Sequence, residues 1–234
     1  MPTLESLDRS VVVSTHLDDA VFSCGRILAA HPGSTVVTVF AGIPDRHVPA
    51  SDWDRRCGFG SAAQAVAQRR EEDRIALSLL EARAVWLNFL DGAYATSPAP
   101  GEVARSLQQV LLELAPDTVL FPLGLFHSDH LLVHEGCAEA VRALPDARVL
   151  VYEDALYRGL KGLLQQRLMA LAQGGVCLTP LRLKIEGSAA LKAHAVQAYE
   201  SQLRGFGPRG HDDTEAPERC WCYEPVATES HHES

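Results

Sequence analysis

Two short polar clusters hold most of the side chains in this sequence that could do chemistry. The first reads His-Leu-Asp-Asp over residues 16–19, and the second reads His-Ser-Asp-His over residues 127–130. Two imidazoles and one carboxylate are the protein ligands of many catalytic zinc sites, in which a fourth position is left to water. The remaining carboxylates and imidazole could move protons and stabilise charge beside the ion. The joint pattern therefore predicts a catalytic metal site.

Each cluster alone has an ordinary structural interpretation. Asp18 or Asp19 after a strand is typical of a helix N-cap, and His-x-Asp-His is typical of a surface turn. His130 and His134 also stand four residues apart, as in His-x-x-x-His metal sites. However, Leu131 occupies the position at which zincin helices carry their basic Glu. We therefore expect His134 to have no direct role at the metal.

Short apolar runs rich in β-branched residues alternate with segments of helical length. Continuous apolar strands suit a parallel sheet covered on both faces. The alternation predicts an α/β fold with a Rossmann-like, doubly wound, mostly parallel sheet. The predicted strands are 11–13, 35–40, 85–90, 118–121 and 149–152, and the predicted helices are 20–30, 62–80, 103–114 and 130–143.

Both polar clusters follow strands of this sheet, the first after strand one and the second after strand four. In the common strand order 3-2-1-4-5, strands one and four are neighbours, and the crevice at their carboxyl ends is the switch point at which ligands bind. The two clusters are therefore predicted to face each other, although they are far apart in the sequence.

The pattern of the chain changes after Tyr152. We predict a single domain over residues 1–234, with a core over 10–155, a C-terminal helical and strand extension over 156–226 and a tail over 227–234. The predicted elements of the extension are helices over 160–172 and 189–202 and a strand over 220–226, with Cys220 and Cys222 on one face.

Two segments are predicted to be loops that shape a ligand pocket. Residues 42–60 form a long stretch for a compact domain, and loops of that length are often functional. They include aromatic and basic side chains of the kind that hold a sugar or a phosphate. Residues 205–217 are rich in Gly, Pro and acidic residues, which is typical of a loop or flap.

The composition argues against several classes of protein. The net charge is −9, and a nucleic-acid-binding surface needs a basic patch, so we expect no nucleic-acid partner. No stretch approaches the run of about 18 apolar residues of a membrane helix, and the first ten residues lack a secretory signal. Six scattered cysteines do not resemble a disulfide framework. A cytoplasmic protein is expected, and a homo-oligomer stays open.

A nicotinamide enzyme is disfavoured as well. The segment after the first strand contains Cys24-Gly25, and no Gly-x-Gly-x-x-Gly fingerprint is formed there. The sequence thus predicts a Rossmann-like sheet without its dinucleotide site.

The polar clusters resemble the two signature motifs of the PIG-L/LmbE-like zinc-dependent N-deacetylases. This family includes N-acetylglucosaminyl-phosphatidylinositol and mycothiol-pathway deacetylases. Its first motif is His-Pro-Asp-Asp-Glu, in which Leu17 here replaces the proline and Ala20 replaces the glutamate. Its second motif, His-x-Asp-His, is matched in full. Less specific similarities are Arg69-Arg70-Glu71-Glu72, Leu90-Asp91-Gly92, Lys192 and Tyr199-Glu200-Ser201-Gln202.

The resemblance implies one zinc ion per chain, with another divalent transition metal left open. The implied ligands are His16, Asp19 and His130. Asp18 is implied as the general base and His127 as the group that stabilises the oxyanion. Asp129 is implied as the residue behind His127 that tunes the charge of the His127 imidazole. Arg70 and Asp91 are implied contacts to the substrate.

The implied substrate is a small-molecule N-acetylated amino sugar or sugar conjugate. Two alternatives stay open. One is an amidase acting on another acyl amide in specialised metabolism. The other is a metal-binding family member without turnover, because Ala20 removes a carboxylate that the family places near the metal.

Overall fold

The computed structural model describes residues 3–4, 7–185 and 188–225. In these residues eight strands form one sheet. The strands are β1 (Thr3–Leu4), β2 (Ser10–Ser14), β3 (Thr35–Thr38), β4 (Arg83–Trp86), β5 (Thr118–Pro122), β6 (Arg148–Tyr152), β7 (Val176–Leu183) and β8 (Cys220–Pro225). Their order across the sheet is β1-β7-β8-β6-β5-β2-β3-β4.

Helices cover both faces of this sheet. They are α1 (Asp19–Ala30), α2 (Asp52–Arg56), α3 (Ala62–Leu79), α4 (Pro100–Leu114), α5 (Ser128–Ala140), α6 (Leu163–Gln173), α7 (Ala189–Gln197) and α8 (Glu200–Phe206), with 3₁₀ turns at Val141–Ala143 and Asp212–Glu215. No helix in the described parts of the chain is long and apolar enough to cross a membrane.

The central five strands confirm the predicted order. Strand β2 pairs in parallel with β3 and β5, β3 with β4, and β5 with β6. Read across the sheet, this is the order 3-2-1-4-5 of a doubly wound fold. Strand β8 runs antiparallel to both β6 and β7, which makes the sheet mostly parallel as expected.

Alternate residues of the central strands serve two separate cores. Val12 and Leu120 pack in a core with α1, α3 and α7, whereas Val11 and Val119 pack in a second core with α4 and α5. Because every residue of β2 is buried, the strand reads as a continuous apolar run with small polar ends. Burial on both faces therefore explains the pattern in the sequence.

Several predicted boundaries were wrong. The strand predicted over 85–90 is β4, which ends at Trp86, because the chain then turns so that Asn88 bridges to Phe40 instead. The helix predicted over 189–202 is two helices, α7 and α8, which are separated where the Tyr199 ring is fully buried and its hydroxyl donates to Asp73 at 2.8 Å. Strand β7 was not predicted.

The late strand is confirmed, with Cys220 and Cys222 in β8 and both thiols free. The last predicted strand residue, Val226, and the predicted tail over 227–234 lie outside the described residues.

Candidate metal centre and cleft

A tight turn between β2 and α1 brings His16 and Asp19 together. The Ser14 hydroxyl donates to the His16 carbonyl at 2.7 Å and accepts the Ala20 N–H at 2.9 Å, and the His16 N–H donates to Asp19 Oδ2 at 2.8 Å. To follow this turn, Asp18 adopts a φ of 153°, a strained conformation that costs a residue with a side chain about 1–3 kcal/mol. The turn thus holds His16 and Asp19 together although the backbone at Asp18 is strained.

The three predicted ligands converge on one point. Asp19 Oδ2 lies 3.2 Å from His16 Nδ1 and 3.3 Å from His130 Nε2. All three ligand atoms lie within 4.8 Å of one another. Because zinc binds imidazole nitrogen and carboxylate oxygen at about 2.0–2.2 Å, two nitrogens and one oxygen at these separations can surround a single ion.

Each of the two histidines is held from behind by a carboxylate. His130 Nδ1 lies 2.6 Å from Asp154 Oδ1, and His16 Nε2 lies 3.2 Å from Asp129 Oδ2. Metal-binding histidines usually donate their second nitrogen in this way, which fixes the ring and its tautomer. The donor set therefore fits a divalent transition metal.

Asp154 was not among the predicted residues. Its other oxygen, Oδ2, accepts the N–H groups of Gly124 and Leu125, so the carboxylate is fixed in place behind His130. A signal was present in the sequence, because an acidic pair, Glu153-Asp154, directly follows β6, the strand next to β5.

The two neighbouring imidazoles favour the ionised form of the Asp19 carboxylate. Burial opposes ionisation of Asp19, yet the adjacent His130 and His16 lower its pKa to about 2. Burial also disfavours the charged ring of His16, but hydrogen bonds to Asp129 and Asp19 raise its pKa well above the ordinary value. Burial and the neighbouring Asp19 raise the pKa of Asp18 well above its usual range.

His127 caps α5 beside this centre. Its Nδ1 accepts the Asp129 N–H at 3.2 Å, so the ring is neutral in this arrangement and its Nε2–H is available to a ligand. Burial and the charge of His16 lower the pKa of His127. Asp129 Oδ2 lies 3.8 Å from His127 Nδ1 but 3.2 Å from His16 Nε2. Asp129 therefore backs His16 more closely than the predicted partner, His127.

The centre opens into a cleft of about 260 Å³. Asp18 and Asp91 line it beside the centre, and Asp91 Oδ2 lies 3.5 Å from His16 Nε2. Aromatic side chains make up much of the rest of its wall. They are Phe40, Trp53, Tyr94, Tyr157 and Phe206.

The structure brings Arg69 to the cleft and not Arg70, which the sequence had favoured. The Arg70 side chain donates to the Ala41 carbonyl at 2.6 Å and lies outside the cleft lining. Arg69 lines the cleft, where its guanidinium donates to Asp54 at 2.7 Å and to the Tyr94 hydroxyl at 3.1 Å. Adjacent residues of a helix point about 100° apart, so the sequence pattern could not choose between the two arginines.

Both predicted loops contribute to the cleft. Within 42–60, helix α2 places Trp53 in the cleft wall, where its indole N–H donates to Gln202 Oε1 at 2.9 Å. The Trp53 ring packs against Phe206, with centroids 4.9 Å apart. Phe206 is the cleft residue from the segment 205–217. The pocket wall is therefore a packed contact between α2 and α8.

His134 makes its contacts in the core and does not line the cleft. Its Nδ1 lies 2.9 Å from the Pro122 carbonyl oxygen, and the ring packs against Phe121 and Tyr223. Burial lowers the pKa of His134 to about 4. This histidine belongs to the core of the domain.

Comparisons with known proteins identify the family of this chain. A family model described as PIG-L: GlcNAc-PI de-N-acetylase matches residues 11–141. The 2'-N-acetylparomamine deacetylase of Streptomyces fradiae is 31% identical, over 83% of this chain and 73% of that protein.

Solved structures share the fold. The A40926 pseudoaglycone deacetylase Dbv21 superimposes with a TM-score of 0.74 at 25% identity, covering 94% of this chain and 99% of that one. The zinc-inhibited form of teicoplanin deacetylase Orf2 superimposes with a TM-score of 0.78 at 24% identity, covering 92% and 97%.

Proposed function

This chain belongs to the PIG-L family of de-N-acetylases, and we propose that it uses one zinc ion to remove the acetyl group from an N-acetylated amino sugar or sugar conjugate. The observation that carries the proposal is the convergence of His16, Asp19 and His130 on one point at the end of an open cleft. The S. fradiae relative is named for a substrate of this class.

His16 Nδ1, Asp19 Oδ2 and His130 Nε2 would hold the ion. Zinc supplies Lewis acidity, which polarises a carbonyl and makes water acidic enough to ionise near neutral pH. Asp129 and Asp154 keep the two imidazoles aimed at Asp19, so that little reorganisation is needed when the ion binds.

Asp18 is the proposed general base. It lines the cleft beside Asp19 and is not one of the three residues that converge on the metal position. An ionised carboxylate at this position can accept a proton from the attacking water. The same carboxyl group can then deliver the proton to the leaving amine.

His127 is the proposed oxyanion donor. Its Nδ1 is occupied as an acceptor, so Nε2 carries the hydrogen and can donate to the oxygen of the acetamide as negative charge develops there. Removing one such donor typically slows a reaction by about 100- to 1,000-fold. Asp91 and Arg69 are the proposed contacts to sugar hydroxyl groups, because both line the cleft next to this centre.

Hydrolysis of another acyl amide is the second candidate, since the same groups would serve any acetamide-like carbonyl. The alternative without turnover rested on Ala20. In the structure Ala20 belongs to the first turn of α1, is buried in the core and does not line the cleft. The replacement therefore leaves the carboxylates of the cleft in place, which supports an active enzyme.

Acetate release tests the proposal. Purified protein with measured metal content is offered 2'-N-acetylparomamine, N-acetylglucosamine and a simple N-acyl amide. We expect acetate and free amine in equal amounts, loss of activity with a chelator and recovery with zinc. His130→Ala should lose most of the metal, whereas the control His47→Ala, at an exposed position, should keep it. Full metal occupancy without acetate release from any substrate would overturn the proposal.

A further inference from the structure

The rim of the cleft carries an exposed aromatic residue, Phe126. It directly precedes His127, which lines the cleft, and it is 64% exposed. An isolated exposed hydrophobic residue would be ordinary on a protein surface. Phe126 is distinguished by what its ring touches and by the backbone that holds it.

Phe126 stacks on Tyr157. The ring centroids lie 5.2 Å apart and the ring planes differ by 20°. Tyr157 in turn lines the cleft and meets the ring of His130 edge-on, with centroids 5.4 Å apart and an angle of 89°. The two rings therefore extend one apolar surface from a proposed metal ligand out to solvent.

Both segments that present these rings are strained. Phe126 has a φ of 65° and Leu156 a φ of 71°, in the left-handed region that bulky residues rarely adopt. Hydrogen bonds fix both segments in this conformation: Leu125 N–H donates to Asp154, and Leu156 N–H donates to Asp213. Strain of this kind persists where the surroundings over-determine it, commonly at functional sites. Burial of Phe126 does not compensate for it, since most of the residue stays exposed.

The size of the cleft indicates what meets this surface. Pockets that enclose most of a drug-sized ligand measure about 300–1,000 Å³, and this cleft measures about 260 Å³. It therefore encloses only part of a multi-ring conjugate, and the remainder passes over the rim. The negative face of an aromatic ring attracts the slightly positive C–H groups of a saccharide or cyclitol ring.

We propose that Phe126 and Tyr157 form a subsite for the ring that is bonded to the N-acetylated sugar, a second sugar or cyclitol. This inference rests on the proposed function and adds the class of substrate that the enzyme prefers. A conjugate of two or more rings gains a stacking contact at the rim that a lone N-acetylated sugar lacks.

The test compares two substrates that share the same N-acetylated sugar, namely N-acetylglucosamine and 2'-N-acetylparomamine. The readout is the ratio of kcat/KM for the two-ring substrate to kcat/KM for the single sugar. We expect Phe126→Ala to lower this ratio about five- to tenfold, the range of a lost ring contact. Phe126→Trp keeps an aromatic ring and should leave the ratio near the wild-type value. The matched control Leu112→Ala, at an exposed residue of α4, should leave the ratio at the wild-type value.

Binding provides a readout that does not depend on turnover. Calorimetry with 2'-N-acetylparomamine and chelator-treated protein should give a Kd that Phe126→Ala weakens by the same factor. If Phe126→Ala folds poorly, Phe126→Asn serves instead, because Asn tolerates a positive φ. If Phe126→Ala weakens binding but the wild-type protein releases no acetate, the proposed function is refuted and the subsite is not. An unchanged ratio and an unchanged Kd, or no binding by the wild type, would overturn the subsite.

Discussion

At the scale of single residues, the least expected contributor to the centre is Asp154. It holds His130 at 2.6 Å and is itself held by two backbone N–H groups. We expect Asp154→Asn to weaken zinc affinity about 10- to 100-fold, the usual effect of removing such a support. Equilibrium competition with a chelator measures this. Asp117→Asn is the matched control, since Asp117 pairs with Arg9 at the surface. Equal affinity in the two variants would refute the role of Asp154.

His134 predicts a pH dependence of stability. Its pKa falls from about 6.5 to about 4 on folding because the ring is buried, so below pH 6.5 the unfolded chain binds the proton more readily. The stabilisation is therefore complete above pH 6.5 and is lost as the pH falls toward 4, by about 3 kcal/mol in all. Urea unfolding with chelator present measures it. His134→Asn should flatten this part of the profile, and an identical profile would contradict the assignment.

The two site clusters could be predicted from the sequence because each lies within four consecutive residues and follows a strand. Arg69 and Asp154 could not be chosen in the same way. Arg69 depended on the rotation of α3 about its axis, and Asp154 on the side-by-side position of β5 and β6 in the folded sheet. Contacts that form only when elements pack together are difficult to predict from the sequence.

At the scale of elements, the strands and helices of the β/α alternation were predictable, whereas the pocket wall was not. Strand β7 escaped prediction because Pro180 and several exposed residues interrupt its apolar pattern. Helix α2 has only five residues and is stabilised by a capping box at Ser51 and by its packing against α8. Short elements of this kind depend on tertiary contacts more than on propensity.

The contact between α2 and α8 predicts a specific effect of Gly205. A Cβ there would lie 2.7 Å from Cys57 Sγ and 2.8 Å from the Trp53 ring, so Gly205→Ala must displace the cleft wall. We expect a loss of stability of about 1–3 kcal/mol and a several-fold lower kcat/KM, with zinc content unchanged. Gly159→Ala, which would meet no atom within 4 Å, is the control. Wild-type kinetics in Gly205→Ala would show that this wall does not shape the substrate site.

At the scale of the whole molecule, the C-terminal extension is bonded into the core. Strand β8 pairs with β6, and Lys192 of α7 donates to Glu218 at 2.8 Å and to the Phe22 carbonyl of α1 at 2.7 Å. Glu218 also accepts the N–H groups of Arg26 and Ile27. We therefore propose that core and extension unfold as one domain.

A substitution at the buried ion pair tests this proposal. Lys192→Met leaves Glu218 buried without its cation, which should cost about 3–5 kcal/mol. We expect one unfolding transition, displaced as a whole, whether helix content or tryptophan fluorescence is followed. Lys192→Met combined with Glu218→Gln should recover part of the loss. Two separate transitions, with only one displaced, would mean that the extension is a unit of its own.

The most direct test of the central claim is the rate of acetate release per bound zinc, measured for Asp18→Asn and Asp19→Ala beside the wild type. Asp19 lies between the two imidazoles, so Asp19→Ala should lose metal and activity together. Asp18→Asn should keep its zinc and lose about 100-fold or more in turnover, the scale of general-base catalysis. Full turnover by Asp18→Asn, or full zinc content in Asp19→Ala, would contradict the account.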